Sequence, residues 1–145
     1  MQFVGDAVMA CFGAPVPQED HADRAFAAAV SMLEAQVDLD ATWAERGLPP
    51  FGLGIGLSTG PVAAALLGSE ERLEYTLVGD TVNLAQRLQD LARPAGCLVF
   101  SEATRAALGS PPECESLGEQ AVKGRQAAVR AYKYQVVGSA MTHTR

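Results

Sequence analysis

Short apolar runs, bounded by Gly, Pro or charged residues, divide much of the chain into segments of strand length. Such runs predict β-strands. A Thr-Gly pair at 59–60 predicts a hairpin that joins 51–58 to 61–67. We expect the 7–12 and 97–100 strands to be buried, because most of their residues are apolar. The predicted strands are 7–12, 51–58, 61–67, 73–78, 97–100, a segment near 117–123, and 128–137.

A long helix is predicted after Asp20, whose side chain can cap a helix. Gly47 and the prolines at 49–50 should end it. Small and apolar residues recur on one of its faces, which should therefore pack closely against the rest of the domain. The residues of this face are Ala25, Ala28, Ala29, Met32, Leu33 and Gln36.

Two shorter helices are predicted further along the chain. One covers 80–92, with Asp80 as its N-cap. Its expected core-facing residues are Leu84, Leu88 and Leu91. The other is capped by Ser101 and ends at Gly109. Because strands and helices alternate, the chain is expected to form an α/β (α+β) sandwich with a mostly antiparallel sheet.

Length, composition and net charge make some classes of protein less probable for this chain than others. A chain of 145 residues that is 48% hydrophobic can form one domain. We expect that domain to cover 1–137 and a disordered tail to cover 138–145. No apolar run indicates a membrane segment, and no signal pattern opens the chain. A net charge of −6 argues against a nucleic-acid partner. The three scattered cysteines indicate reduced thiols and a cytoplasmic location.

The segment most informative about chemistry is the Gly-Asp turn at 79–80 and the predicted helix behind it. Asn83 and Arg87 are four residues apart, so they share one helix face. An amide, a guanidinium and the N–H groups of a helix start together suit a phosphate ester. The spacing alone leaves open a polar face that is merely solvated.

Two further patterns have competing interpretations. Asp6 follows a glycine in a predicted turn, where a carboxylate could bind Mg²⁺ or could hydrogen-bond its own turn. The segment 56–60 fits G-x-S-x-G, the nucleophile motif of esterases, with Ser58 at its centre. That motif requires a helix directly after the turn. Because 61–67 predicts a strand instead, an esterase is disfavoured.

The stretch 74–88 resembles the catalytic helix region of the class III nucleotidyl cyclases, which convert ATP or GTP to the cyclic monophosphate. Other blocks resemble the same family in family order, and together they cover roughly residues 2 to 137. These blocks are the metal-binding hairpin at 4–15, the start of the long helix at 20–25, a central hairpin at 54–62, and the closing segments at 122–125 and 129–132.

The resemblance implies a ferredoxin-like core, a head-to-tail homodimer and a nucleoside triphosphate substrate. It implies that Asn83 orients the ribose and that Arg87 stabilises charge on the α-phosphate. Asp6 matches one of two carboxylates that hold Mg²⁺ or Mn²⁺, and Lys123 matches a residue that holds the outer phosphates. The metal ions would activate the ribose 3′-hydroxyl and neutralise the phosphates, so that pyrophosphate leaves after in-line attack.

Base recognition departs from the family pattern. Adenylate cyclases commonly carry Lys where this chain has Gln2. Where it has Thr76, Asp is common and Thr also occurs in bacterial members. Gln and Thr can each donate or accept a hydrogen bond. These two positions therefore leave both adenine and guanine open.

The family's domain normally opens with an earlier strand and helices that carry the other metal carboxylate. The sequence resembles the family only from the following strand onward, so we expect an N-terminally incomplete domain that is nearly inactive alone. A start assigned at an internal codon, a remnant of a larger gene, and a catalytically silent domain that dimerises or binds nucleotide are three explanations. The resemblance thus implies either an enzyme or a silent binding module.

Overall fold

The computed structural model describes residues 2–4, 7–14, 17–50, 52–69, 72–92, 96–121 and 128–136. Strands and helices alternate through these ranges, as the sequence predicts. The strands are β1 (Gln2–Val4), β2 (Ala7–Met9), β3 (Gly54–Leu57), β4 (Ala63–Ser69), β5 (Arg72–Val78), β6 (Cys97–Ser101), β7 (Glu115–Gln120) and β8 (Val129–Gln135). The helices are α1 (His21–Glu45), α2 (Asp80–Asp90) and α3 (Glu102–Ala107).

The central sheet has the strand order β3-β6-β8-β7. Strand β3 pairs with β6 in parallel, whereas β6 with β8 and β7 with β8 are antiparallel. Two antiparallel ribbons, β1-β2 and β4-β5, accompany this sheet. Antiparallel pairs therefore predominate in the described part of the chain, which confirms the prediction of a mostly antiparallel α+β structure.

Strand β6 is buried on both faces, and its alternating side chains supply two separate cores. Leu98 and Phe100 join a cluster with Ala29 and Leu33 of α1. Cys97 and Val99 join a second cluster with the leucines of α2. The sheet therefore lies between α1 on one face and α2 on the other.

Aromatic contacts fix α1 against its face of the sheet. The ring of Phe26 lies 5.4 Å from the ring of Phe100 and 5.4 Å from that of Tyr134, edge-on to both. The carboxylate of Asp23 accepts a hydrogen bond of 2.9 Å from the Gly109 amide, just after α3. None of the helices in the described ranges has both the length and the apolar character that a bilayer span requires.

Helix α2 lies directly on the backbone of β3, because two glycines leave room for it. A Cβ atom added at Gly56 would lie 2.3 Å from the Ala85 carbonyl oxygen and 2.4 Å from the Gln89 amide nitrogen. At Gly54 it would lie 3.0 Å from the Cβ of Ala92. These distances leave no space for a side chain at position 56.

The predicted hairpin at 59–60 is wrong. Strand β3 pairs with β6, which lies beyond α2 in the sequence, and β4 pairs with β5 over seven residues from Ala63↔Val78 to Ser69↔Arg72. Parallel pairing needs a long crossover connection, and here α2 lies within it. The segment 58–61 therefore leads out of the central sheet instead of turning back along it.

Other expectations also need correction. The 7–12 run forms only the short strand β2, and Val8 is 50% exposed because the described pairing of β2 is with β1 alone. Met32 is also 50% exposed, because it lies one residue, or about 100°, away from the buried Leu33 around α1. The remaining helix-face residues are buried or partly buried as predicted.

Two of the three predicted caps differ from expectation. Asp20 occupies the N-cap position of α1 but makes no capping hydrogen bond; its carboxylate accepts a 2.9 Å bond from Arg24 Nε instead. Asp80 is the first residue of α2, and Gly79 is the N-cap with a φ of +137° that only glycine adopts readily. The Ser101 cap is confirmed, because its hydroxyl oxygen accepts a bond from the Thr104 amide. The predicted tail at 138–145 lies outside the described residues.

Helix α3 contacts β8 through a polar group around Tyr132. The Tyr132 hydroxyl donates a hydrogen bond to Glu102, and the Arg105 guanidinium lies 5.0 Å from the centre of the Tyr132 ring. The hydrogen bond to Glu102 raises the pKa of Tyr132 above its ordinary value of 10.0; partial burial and the Glu102 charge act in the same direction, and Arg105 opposes them. This contact is therefore strongest while Tyr132 is protonated.

We predict that Gly56→Ala destabilises the protein more than Gly54→Ala. The added methyl group at position 56 meets backbone atoms of α2, which cannot move without displacing the helix. Overpacking of this kind costs roughly 1–3 kcal/mol or more. Urea unfolding of the two variants measures the difference. Equal losses of unfolding free energy would show that α2 does not pack against position 56 as closely as described.

We predict that Tyr132→Phe changes the pH dependence of stability. With a raised pKa, Tyr132 contributes stability that is fully present below pH 10 and is lost as the pH rises through the folded-state value. The difference in unfolding free energy between wild type and Tyr132→Phe should therefore shrink above about pH 10. Denaturant unfolding of both proteins from pH 8 to 11 measures it; a difference that stays constant would contradict the proposed contact.

Candidate functional site

Helix α2 carries both residues that the sequence predicts for phosphate chemistry. Its buried side consists of Leu84 and Leu88, which pack into the second core, and Leu91 just beyond the helix packs against the same core. Asn83 and Arg87 are exposed on the solvent side. The two residues therefore share the face of α2 opposite its buried leucines, and their exposure fits both a ligand-binding face and one that is merely solvated.

Arg87 has one acidic neighbour on its own helix. Its Nη1 atom lies 4.0 Å from the Asp90 Oδ2 atom, and the two side chains are 49% and 62% exposed. An exposed ion pair at this distance contributes little to stability. The guanidinium is therefore available to a ligand at small structural cost.

The first turn of α2 is held by residues 58–61, which we call the anchor loop. Ser58 Oγ donates a hydrogen bond of 2.5 Å to the Thr81 carbonyl oxygen. Thr81 Oγ1 in turn donates a hydrogen bond of 2.8 Å to the Pro61 carbonyl oxygen. Thr81 is thus bound to the loop through both its main chain and its side chain.

The anchor loop is also bound on its other side. The hydroxyls of Thr59 and Thr104 lie 2.7 Å apart, and the hydroxyl of Ser101 lies 3.2 Å from that of Thr104. Thr104 and Ser101 are buried. The loop therefore connects the start of α2 to the end of β6 and the start of α3.

This anchoring role of the loop does not follow from the sequence pattern. Ser58 and Thr59 follow the glycine-rich strand β3, and Thr81 follows the Gly-Asp turn, so small hydroxyl residues stand at both ends of the contact. The Thr-Gly pair at 59–60 predicts a hairpin turn instead, which the structure does not contain. The esterase motif also lacks its context, because Ser58 donates to a main-chain oxygen and the element after the loop is strand β4.

A cleft of about 590 Å³ lies beside the anchor loop. Its charged lining residues are Asp80, Glu102 and Arg130, and Arg130 lies 3.9 Å from Glu119. Neither Asn83 nor Arg87 lines the cleft. Asn83 and Arg87 therefore lie on an open helix face and not in this cleft.

The other predicted site residues are placed only in part. Gln2 lies on β1 opposite Met9, and Thr76 lies on β5 opposite Ala65, in two ribbons that the described pairings do not join. Asp6 and Lys123 lie outside the described residues. Within the described ranges, no three His, Cys, Asp or Glu side chains are grouped as metal ligands would be. Of the predicted site, the structure brings together Asn83 and Arg87.

Comparison with known proteins identifies the family. Residues 1–138 match the adenylate and guanylate cyclase catalytic domain. "Adenylate cyclase 1" of Rhizobium meliloti (strain 1021) is 36% identical over 139 residues, which are 95% of this chain and 21% of that protein. The chain thus spans about a fifth of the length of this curated relative.

Solved structures agree in fold. The adenylyl cyclase CyaB from P. aeruginosa has a TM-score of 0.83 and 32% identity, covering 91% of this chain and 68% of that one. The guanylate cyclase domain of RhGC from Catenaria anguillulae, in complex with GTP, has a TM-score of 0.71 and 31% identity, covering 86% of this chain and 65% of that one. These likenesses confirm the cyclase fold that the sequence resemblance implied. The chain belongs to the family of adenylate and guanylate cyclase catalytic domains.

Proposed function

We propose that this chain acts as a nucleotidyl cyclase domain in intracellular signalling. It would convert ATP, with GTP as a second candidate substrate, to the 3′,5′-cyclic monophosphate and pyrophosphate. The observation that carries the proposal is the exposure of Asn83 and Arg87 together on α2, in a chain that belongs to the cyclase family. An asparagine amide can hydrogen-bond a ribose, and an arginine guanidinium can hydrogen-bond a phosphate.

In this proposal the ribose 3′-hydroxyl attacks the α-phosphorus in line, and the bond from that phosphorus to the pyrophosphate oxygen breaks. Asn83 orients the ribose through its amide. Arg87 donates to the α-phosphate oxygens, where negative charge increases in the transition state. A guanidinium suits this role because it keeps its charge and presents several donors in one plane.

A divalent metal, Mg²⁺ or Mn²⁺, is part of the proposal. Asp6 would hold it together with substrate phosphates, and a carboxylate oxygen is the donor that such ions prefer. When bound, the ion supplies phosphate charge neutralisation and makes the hydroxyl more acidic. Lys123 would add positive charge at the outer phosphates.

We further propose that the active form is a homodimer. The family resemblance assigns Asp6 to one subunit of a shared site, and Asn83 with Arg87 to the other. The exposure of these two side chains outside the cleft supports an arrangement in which a second chain completes the site.

The direct test is cyclisation of ATP and of GTP, each with Mg²⁺ or Mn²⁺, by the 145-residue chain and by an N-terminally extended version. The proposal expects metal-dependent cyclic nucleotide and an equal amount of pyrophosphate. Binding of ATP without cyclic product in either form would instead favour a silent cyclase-homology module.

We predict that Arg87→Ala lowers kcat by about 10²–10³ with little change in stability. Losing one donor to transition-state charge typically costs that much in rate. An exposed side chain with a 4.0 Å ion pair should change the unfolding free energy by less than about 0.5 kcal/mol. Steady-state kinetics and thermal unfolding of the active form measure the two effects.

The matched control is Arg24→Ala. Arg24 is also an exposed helical arginine with an acidic partner about one turn away, Asp20, but it lies on α1. It should leave kcat unchanged. Equal effects of the two substitutions on kcat would show that Arg87 acts only as a surface charge.

We predict weak selection between ATP and GTP. Gln2 and Thr76 can each present a donor or an acceptor, so neither base leaves a polar group unpaired. The ratio of kcat/KM for the two nucleotides should lie well below about 10⁴, the discrimination reached by sites built around one hydrogen-bond pattern.

The control is the double substitution Gln2→Lys with Thr76→Asp, the pair that the resemblance associates with adenine. It should shift the ratio toward ATP. A wild-type ratio of about 10⁴ or more would mean that other residues read the base.

A further inference from the structure

We propose that the hydroxyls of Ser58 and Thr81 are positioning groups for the reaction, because they set where the first turn of α2 lies and therefore where Asn83 stands. We call this pair of hydrogen bonds the hydroxyl clamp. The inference rests on the proposed cyclase function for its catalytic consequence. The clamp itself rests on geometry within the described residues.

The clamp acts on the residue best placed to control the start of α2. Thr81 is the second residue of the helix and lies two positions before Asn83. Ser58 Oγ donates to the Thr81 carbonyl oxygen at 2.5 Å. The Thr81 hydroxyl donates to the Pro61 carbonyl oxygen at 2.8 Å. Two bonds of different direction to one residue restrict both the position and the rotation of the first turn.

Further restraints on α2 act from Leu84 onward, because the side chains of Leu84 and Leu88 pack into the second core. Gly56 of β3 approaches Ala85 and Gln89, so that contact fixes the middle and the second half of the helix. Asn83 precedes these contacts. Without the clamp, its position would therefore be less restrained than that of Arg87. Misplacement of a positioned group by about 1 Å can lower a rate by about 10².

The anchor loop that makes the clamp is itself fixed. On the side of the loop away from α2, the Thr59 hydroxyl is hydrogen-bonded to that of Thr104, a buried residue in the first turn of α3. The loop therefore holds the first turn of α2 in a fixed position relative to α3. The simpler alternative is that both hydroxyls only satisfy main-chain carbonyls and add stability without affecting catalysis.

Gly60 offers a way to disturb the clamp without removing a polar group. A Cβ atom at this position would lie 2.6 Å from Thr81 Oγ1. The Thr81 side chain would have to move, and its bond to Pro61 would lengthen or break. Gly60→Ala and Thr81→Val should therefore have the same effect by different means.

The first measurement is hydrogen exchange in the 145-residue chain, compared between wild type, Thr81→Val, Ser58→Ala and Gly60→Ala. The amides of Val82 and Asn83 bond to the Gly79 carbonyl oxygen at 3.2 and 3.3 Å, so they report on the first turn. We expect about tenfold or faster exchange at these amides in each variant, with little change near Gln89. Thr81→Ser keeps the hydroxyl and should exchange like wild type.

The second measurement is kcat and KM of the same variants in the active form. Thr81→Val and Gly60→Ala should lower kcat by roughly 10- to 100-fold, with a much smaller change in KM, and Thr81→Ser should restore kcat. In an Asn83→Ala background, Thr81→Val should add little further loss, because it acts through Asn83. The control is Thr42→Val, which removes a hydroxyl bond of 3.2 Å to Asp38 on α1 and should change neither kcat nor α2 exchange.

Two results would overturn the inference. Unchanged exchange at Val82 and Asn83 in Thr81→Val would show that the clamp does not hold the first turn. Faster exchange or a lower Tm with unchanged kcat would show a purely structural role. If wild type makes no cyclic nucleotide in either form, the proposed function and the catalytic role fail together, while the exchange data still decide whether the clamp exists.

Discussion

At Gly56 the backbone of β3 touches the backbone of α2, and the position of the candidate site follows from that contact. Helices usually pack on sheets through the side chains of their apolar stripe. Here a Cβ atom would lie only 2.3 Å from the Ala85 oxygen, so the helix is closer than any side chain would permit. This contact directs Leu84 and Leu88 into the core and leaves Asn83 and Arg87 facing outward.

The contact with α2 is possible because the sheet itself is held elsewhere. Strand β6 is buried on both faces, and its two sets of side chains bind α1 and α2 to one layer. Its parallel partner β3 therefore needs few side chains of its own and can carry glycines where α2 approaches. Neighbouring strands thus differ in role: all five residues of β6 are buried, whereas the glycines of β3 set how closely α2 approaches the sheet.

Local signals predicted α2 and β6 well, because the leucine spacing and the apolar run each reflect a single element. The pairing of β3 could not be predicted in this way, because a Ser-Thr-Gly-Pro loop is compatible with a hairpin and with a crossover. The same limit explains why Ser58 and Thr81 were missed: their contact joins residues that lie 23 positions apart.

Asn83 and Arg87 could be predicted because four-residue spacing on one helix is itself local. Asp6 and Lys123 remain assignments from family resemblance, outside the described residues.

Charge distinguishes between the two places where a nucleotide could bind. The chain carries a net charge of −6, and the cleft beside the anchor loop has Asp80 and Glu102 in its lining. A triphosphate brought there would meet the Glu102 carboxylate, and Arg130 already lies 3.9 Å from Glu119. On the open face of α2, by contrast, the contact of Arg87 within the described residues is a long, solvent-screened one with Asp90, so turning toward a phosphate costs little. The proposed chemistry therefore fits the outer face of α2 better than it fits the cleft.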